Sequence, residues 1–243
     1  MIHILSRVLL SLGLLTGFCG IPAHAMDNTD DKDVVPILCY EDIVTDYQEF
    51  IKGKDPLTLS DYGGHKSRRD VIETVLLQQA LYLGGYKKKI RFDTIHGLTY
   101  KRAMTLVKSG HYMALCNSDW FHREAGAVEL WRSSTLIPAE KFVAGFFVSE
   151  GKAHEVKITD IESARRYKIV CNPEWKPDQM VIDGMGLDCV QARDWKTMVQ
   201  ILSKGRGDFM LAPFQSTLDG ALEAFGARFM PVPNIKVQFN DDR

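Results

Sequence analysis

Tyr100-Lys101-Arg102-Ala103-Met104-Thr105-Leu106-Val107-Lys108-Ser109-Gly110 is echoed, at a constant offset of 95 residues, by Trp195-Lys196-Thr197-Met198-Val199-Gln200-Ile201-Leu202-Ser203-Lys204-Gly205. Each copy opens on an aromatic and places apolar residues at helical spacing, Met104 and Val107 in the first, Val199 and Leu202 in the second. Each stops at a glycine and enters an apolar run, His111 to Cys116 and Arg206 to Leu211. A strand precedes each helix, so the units read strand, helix, strand, the arrangement that builds a parallel sheet through right-handed crossovers. Two sets predict two similar α/β lobes, each a mainly parallel sheet flanked by helices; one continuous doubly wound sheet is the alternative. The β-rich run Lys141 to Ser149 speaks for two lobes, because it reads as a strand crossing between them.

Working outward, Val34 to Tyr40 reads as a buried strand, followed by a long polar loop to about Ser67. Apolar residues at Ile72, Val75, Leu76, Ala80 and Leu83 predict a helix over 69–83, capped by Ser67 at its start and closed by Gly84-Gly85. Ile90 to Ile95 alternates as a strand. Further on, Asp160 to Arg165 is a short helix, and Tyr167 to Cys171 and Leu187 to Gln191 are strands. Ile235 to Phe239 is a strand returning to the first lobe. The expected divisions are 1–25 for a leader, 26–141 for lobe one, 142–227 for lobe two and 228–243 for the return.

The leader reads as a secretory signal peptide: Arg7, an apolar run from Val8 to Ile21, then the small-x-small Ala23-His24-Ala25. The run is too short to span a bilayer, and Thr16-Gly17-Phe18 before Cys19 does not fit lipoprotein processing. A periplasmic protein without a membrane anchor is expected. Formal net charge is −1, which gives no broad field for nucleic acid or anionic lipid. The seven histidines show no HxH or HExxH spacing, so neither a metal nor another cofactor is expected. Cys39, Cys116, Cys171 and Cys189 remain after cleavage, and four cysteines allow three pairings.

From Val34 to Arg243 the chain resembles the periplasmic solute-binding proteins of ABC transporters, the amino-acid-binding branch in particular. The resemblance rests on Ala103 to Asn117 and on Leu202-Ser203-Lys204-Gly205-Arg206-Gly207-Asp208, which looks like an L-x-x-G-R-x-D phrase before a second-lobe strand. It implies a two-lobed fold joined by crossing strands, with a small polar or anionic solute held between the lobes. The partners it implies are an ABC permease or a membrane sensor, and a monomer is expected. Two departures stand out. Trp120-Phe121-His122-Arg123 keeps the ligand-gripping arginine but not the threonine that usually precedes it, and Pro213-Phe214 stand where an acidic residue often meets a ligand ammonium. Relatives commonly add one or two helices beyond the return strand, so the C-terminus is expected to be short.

Ligands of such sheets sit outside the carboxyl ends of the strands. That rule selects Tyr40, Glu41 and Asp42 after the first strand, Asn117, Ser118, Asp119, Trp120 and Arg123 after the third, Asn172 and Trp175 after Cys171, and Pro213 to Ser216 after the last. Arg123 can grip a carboxylate through two parallel hydrogen bonds. Trp120 and Trp175 are placed to face each other across a cleft and stack on the solute, and Asp119 and Glu41 to meet an ammonium. Tyr62 to Arg69 carries paired glycines that let an anion approach the backbone, without the G-K-[ST] ending of a nucleotide loop. Two lobes imply one disulfide in each, Cys39 with Cys116 and Cys171 with Cys189; buried reduced cysteines are the alternative. Ser67 and His65 lack an acidic orienter, so binding is expected rather than catalysis; a degenerate family member that serves as an interaction protein is the other reading.

Overall fold

The computed structural model describes residues 34–120, 130–131, 133–215, 217 and 219–239. The signal-peptide reading, Arg123 and Ser216 lie outside them. Strand β1 (Val34–Cys39) pairs in parallel with β2 (Lys89–Thr94). Its other edge is joined by residues 113–116, where Leu38 N–H donates to the Ala114 carbonyl (3.0 Å) and Cys116 N–H to the Leu38 carbonyl (2.9 Å). Successive side chains of a strand face opposite ways, and β1 shows the consequence. Ile37 and Cys39 pack towards Val44, Leu77 and Leu81, while Leu38 packs with Ala103 and Leu106. Helices α1 (Glu41–Phe50) and α2 (Arg69–Leu83) therefore cover one face, and α3 (Tyr100–Lys108) the other.

The polar loop expected after the first strand is corrected by α1, which starts directly after β1. Ile43, Tyr47 and Phe50 are spaced four and three apart and buried, and Glu41 and Asp42 occupy the first turn, where negative charge suits the helix dipole. Nor does Ser67 cap α2: its hydroxyl donates to the Gly64 carbonyl (2.6 Å), and Arg68 holds the N-cap position without a side-chain cap. The end of α2 agrees with the sequence, with Gly85 in the left-handed region at φ 88°.

The second sheet has the order β5-β4-β6-β3-β8-β7. It contains β3 (Val143–Ser149), β4 (Lys168–Cys171), β5 (Asp188–Gln191), β6 (Phe209–Pro213), β7 (Leu222–Ala224) and β8 (Ala227–Pro231). It is mixed: β4 is parallel to β5 and β6 where helices alternate with strands, whereas β3 runs antiparallel to both β6 and β8. Phe146, Ile169 and Phe209 face one layer with α4 (Ile161–Ala164) and α5 (Lys176–Met185); Phe147, Val170 and Met210 face the other with α6 (Trp195–Ser203). The fold is thus α/β and two-lobed, with helices on both faces of each sheet. Strand β9 (Val237–Gln238), expected to return to the first lobe, pairs with Val143 and Ala144 of β3.

The echoed segments fold alike. Both α3 and α6 end at a glycine with positive φ, Gly110 at 76° and Gly205 at 66°; α6 leads into β6 beside β4, whereas the strand expected over 111–116 is reduced to a single bridge, Leu115 to Leu38 of β1. Both carry a side-chain cap: Thr99 accepts from Arg102 N–H (3.4 Å) and Asp194 from Thr197 N–H (2.7 Å). Burial opposes ionisation of Asp194, yet its hydrogen bonds to Thr197 and Arg193 hold the carboxyl below its ordinary value. A carboxyl lowered in the fold contributes stability above its unfolded pKa and loses it as pH falls through the folded one. Replacement of Asp194 by alanine is expected to cost about 1 kcal/mol at neutral pH. The gap in melting temperature should close as pH drops below about 4. A gap that stays constant with pH would disprove the charged cap.

Each lobe holds one disulfide in the expected pairing. Cys39–Cys116, with Cα atoms 5.2 Å apart, ties β1 to the 113–116 segment, and Cys171–Cys189, at 5.9 Å, ties β4 to β5.

Candidate functional site

The carboxyl ends of β1, β4 and β6 and the N-terminal ends of α3 and α6 open on a cleft of about 510 Å³ between the two sheets. From the first lobe come Tyr40, Arg68, Arg69, Tyr100, Asn117 and Asp119; from the second, Asn172, Glu174, Trp175, Trp195 and Gln215. Phe142 and Phe239 line it near the β3–β9 pairing. The repeat explains two of the walls: Tyr100 and Trp195 are the aromatics on which the echoed helices open, and each reaches the cleft from the first turn of its helix.

Charge in the first lobe is organised by two arginines at the start of α2. Arg68 donates to Asp46 (2.8 Å), Asp70 (2.9 Å) and Asp42 (2.6 Å). Arg69 pairs with Glu73 (2.9 Å) and Asp70 and lies over the Phe142 ring, 5.7 Å from its centroid. Glu73, 5% exposed, also accepts from the Ser118 N–H (2.9 Å) and hydroxyl (2.8 Å), fixing the loop after the 113–116 segment. Burial, with Asp119, Asp70, Asp42 and Glu174 nearby, pushes the Tyr40 phenol well above its ordinary range, so it enters the cleft as a neutral hydrogen-bonding group.

The predicted residues divide by what the structure does with them. Tyr40, Glu41, Arg69, Asn117, Asp119, Trp120, Asn172 and Trp175 all line the cleft. Glu41 lies at the mouth, 3.4 Å from His96 Nδ1. Asp119 accepts from the Tyr100 hydroxyl (2.8 Å) and from Trp120 N–H (2.9 Å). Trp120 is engaged by Phe142 and Phe239, with ring centroids 4.9 Å away in each case, and Trp175 packs at 6.4 Å on Trp195. Asn172, 2% exposed, positions other groups: its amide accepts from Glu174 N–H (2.9 Å) and donates to the Arg193 carbonyl (3.2 Å). Tyr62 stands away from the cleft and donates to Gln79 (2.8 Å), which holds the 56–59 turn through two further hydrogen bonds.

Sequence reasoning missed Tyr100, Glu174 and Trp195 as lining residues and offered Arg68 only as part of the Tyr62 to Arg69 loop. The signal for Tyr100 and Trp195 was present in the echo itself, since a helix in such a sheet directs its N-terminus at the ligand side. Phe225 was also missed. It reaches the cleft from the turn between β7 and β8 at φ 48°, a left-handed conformation that is costly for an aromatic residue.

No protein-family model and no curated protein matches the chain. Among solved structures it is similar to an ancestral arginine-binding protein bound to arginine, with 13% identity, 86% of this chain and 82% of that one covered, and a TM-score of 0.48. It is also similar to the ancestral amino acid-binding protein AncCDT-1, a precursor of cyclohexadienyl dehydratase, at 12% identity, 87% and 82% coverage and a TM-score of 0.47. A third similarity is to the GluR0 ligand-binding core from Nostoc punctiforme in complex with L-glutamate, at 8% identity, 86% and 84% coverage and a TM-score of 0.44. These likenesses are distant, and the two-lobed architecture stands on this chain's own sheets and connections.

Proposed function

We propose that the protein is an extracytoplasmic solute-binding protein that captures a small polar or anionic, amino-acid-like solute between its lobes. The observation that carries this reading is the cleft of about 510 Å³, built where the strand ends of both sheets converge and lined from both sides by aromatic and charged residues. That volume falls within the range of about 300–1,000 Å³ usual for small-molecule sites. A solute contacted by both lobes favours the form in which they are close, and its affinity difference between forms drives closure. The signal-peptide sequence and a disulfide within each lobe suit an oxidising compartment. Within this reading the protein acts as a monomer, and an ABC permease or a membrane sensor reads the closed form.

A thermal-shift screen of amino acids, organic acids and polyamines tests the proposal. A ligand at 100 times its dissociation constant adds about 2.7 kcal/mol of stability, so the cognate class should raise the melting temperature visibly. A folded sample that shifts with none of these compounds speaks against it.

A further inference from the structure

A hydrogen bond crosses the cleft: the Glu174 carboxylate, from the loop after β4, accepts from the backbone N–H of Lys101 in the first turn of α3 (3.1 Å). We infer that Glu174 is an interlobe latch that completes the N-terminal cap of α3 and ties the two lobes to each other across the cleft. The inference deepens the solute-binding reading, on which it rests for its purpose, by adding a control on opening of the same cleft.

The geometry supports a latch on both sides. On the second lobe Glu174 is held by a rigid turn. Its own N–H donates to Asn172 Oδ1 (2.9 Å), Trp175 N–H donates to the Asn172 carbonyl (3.1 Å), and the buried Asn172 amide donates to the Arg193 carbonyl (3.2 Å). On the first lobe, the opening turn of α3 presents backbone donors that the helix itself cannot satisfy. Thr99 accepts from Arg102 N–H, and Glu174 accepts from Lys101 N–H. The cap is therefore shared between the lobes, where α6 draws its side-chain cap from the adjacent Asp194. A carboxylate at this end of a helix also gains from the macrodipole, which makes the contact charge-assisted.

Opening the lobes breaks this solvent-accessible bond and leaves the Glu174 carboxylate and the Lys101 N–H to water alone. A latch of this kind favours the form in which the lobes are close, and a solute enters when it releases.

The test uses the mature protein without solute, so that failure of the latch and failure of solute binding are separate results. Small-angle scattering gives the radius of gyration, and amide hydrogen exchange follows Lys101 in wild type, Glu174→Ala, Glu174→Gln and Glu155→Ala, the last an exposed carboxylate of the same lobe. Glu174→Ala should enlarge the radius of gyration and speed Lys101 exchange about tenfold or more. Glu174→Gln, which keeps the shape and loses the charge, should change both in the same direction by less, and Glu155→Ala should match wild type. If Glu174→Ala does not give a native circular-dichroism spectrum, Glu174→Gln decides by the same two readings. A folded variant with wild-type scattering overturns the latch even if Lys101 exchange has changed, and so does unchanged exchange.

Discussion

Replacing Arg68 with alanine should destabilise the protein by about 3–5 kcal/mol, the cost expected when one partner of a buried charge network is removed and the others are left uncompensated. Its side chain is only 14% exposed and holds three carboxylates, Asp42, Asp46 and Asp70, at hydrogen-bond distance. Burial already raises the pKa of Asp42, against the opposing pull of Arg68, and losing the guanidinium raises it further. A carboxyl raised in the fold supports stability at low pH and detracts from it as pH rises through the folded value. The deficit of Arg68→Ala should therefore be greatest at neutral pH and narrow as pH approaches about 4. Lysine at this position retains the charge but not the planar fork, so Arg68→Lys should fall between the two. Urea unfolding across pH checks the series. A deficit below about 1 kcal/mol, the level of an exposed ion pair, would show that the network is solvated.

The second large effect concerns the disulfides. Cys39 and Cys116 are separated by 77 residues, Cys171 and Cys189 by 18. A cross-link restricts the unfolded chain more as its loop lengthens, so removing the first bridge by double serine substitution should cost about 4–5 kcal/mol and removing the second about 3. Cys39 and Cys116 are also almost fully buried beside Ile37 and Ile43, so the serine hydroxyls add an unfavourable polar burial. Thermal unfolding of the two double variants, with thiol titration of the wild type, gives the comparison. Four free thiols in the unreduced protein would contradict both bridges, and a larger loss from the Cys171–Cys189 pair would contradict the loop-length argument.

How far the fold was legible varied with the kind of signal. The echo between Tyr100 and Trp195 located α3, α6, β6 and the 113–116 segment that bridges to β1, because a helix stripe, a terminal glycine and an apolar run agree with one another there. The smaller elements were less visible. In α1, charged and polar residues surround Ile43, Tyr47 and Phe50, and the stripe becomes recognisable only once α2 and β2 are there to cover it. The β7–β8 hairpin turns at Phe225-Gly226, without the Asn-Gly or Asp-Gly pair that announces such turns. The antiparallel place of β3 in the sheet is a property of long-range pairing, for which Val143 to Ser149 carries no local mark.

The candidate site followed the same division. The rule that ligands meet strand ends found Tyr40, Asp119, Asn172 and Trp175 on the cleft. It could not separate a wall from a support: Asn172 holds the turn that carries Glu174, and Trp120 packs in a three-ring cluster with Phe142 and Phe239. Tyr62 was chosen for its neighbouring glycines, but its hydroxyl is directed to Gln79, a partner 17 residues away that no local pattern reveals.

Capture of a solute in the cleft can be read through tryptophan. Trp120, Trp175 and Trp195 line the cleft, whereas Trp131 is fully exposed. Titration of the mature protein with each compound of the amino-acid, organic-acid and polyamine panel, followed by intrinsic fluorescence, should give a saturable change for the cognate class, and substituting all three cleft tryptophans, Trp120, Trp175 and Trp195, by phenylalanine should lose most of it. An emission spectrum unchanged by every compound would contradict the account, as would a saturable change that survives intact when Trp131 is the tryptophan that remains.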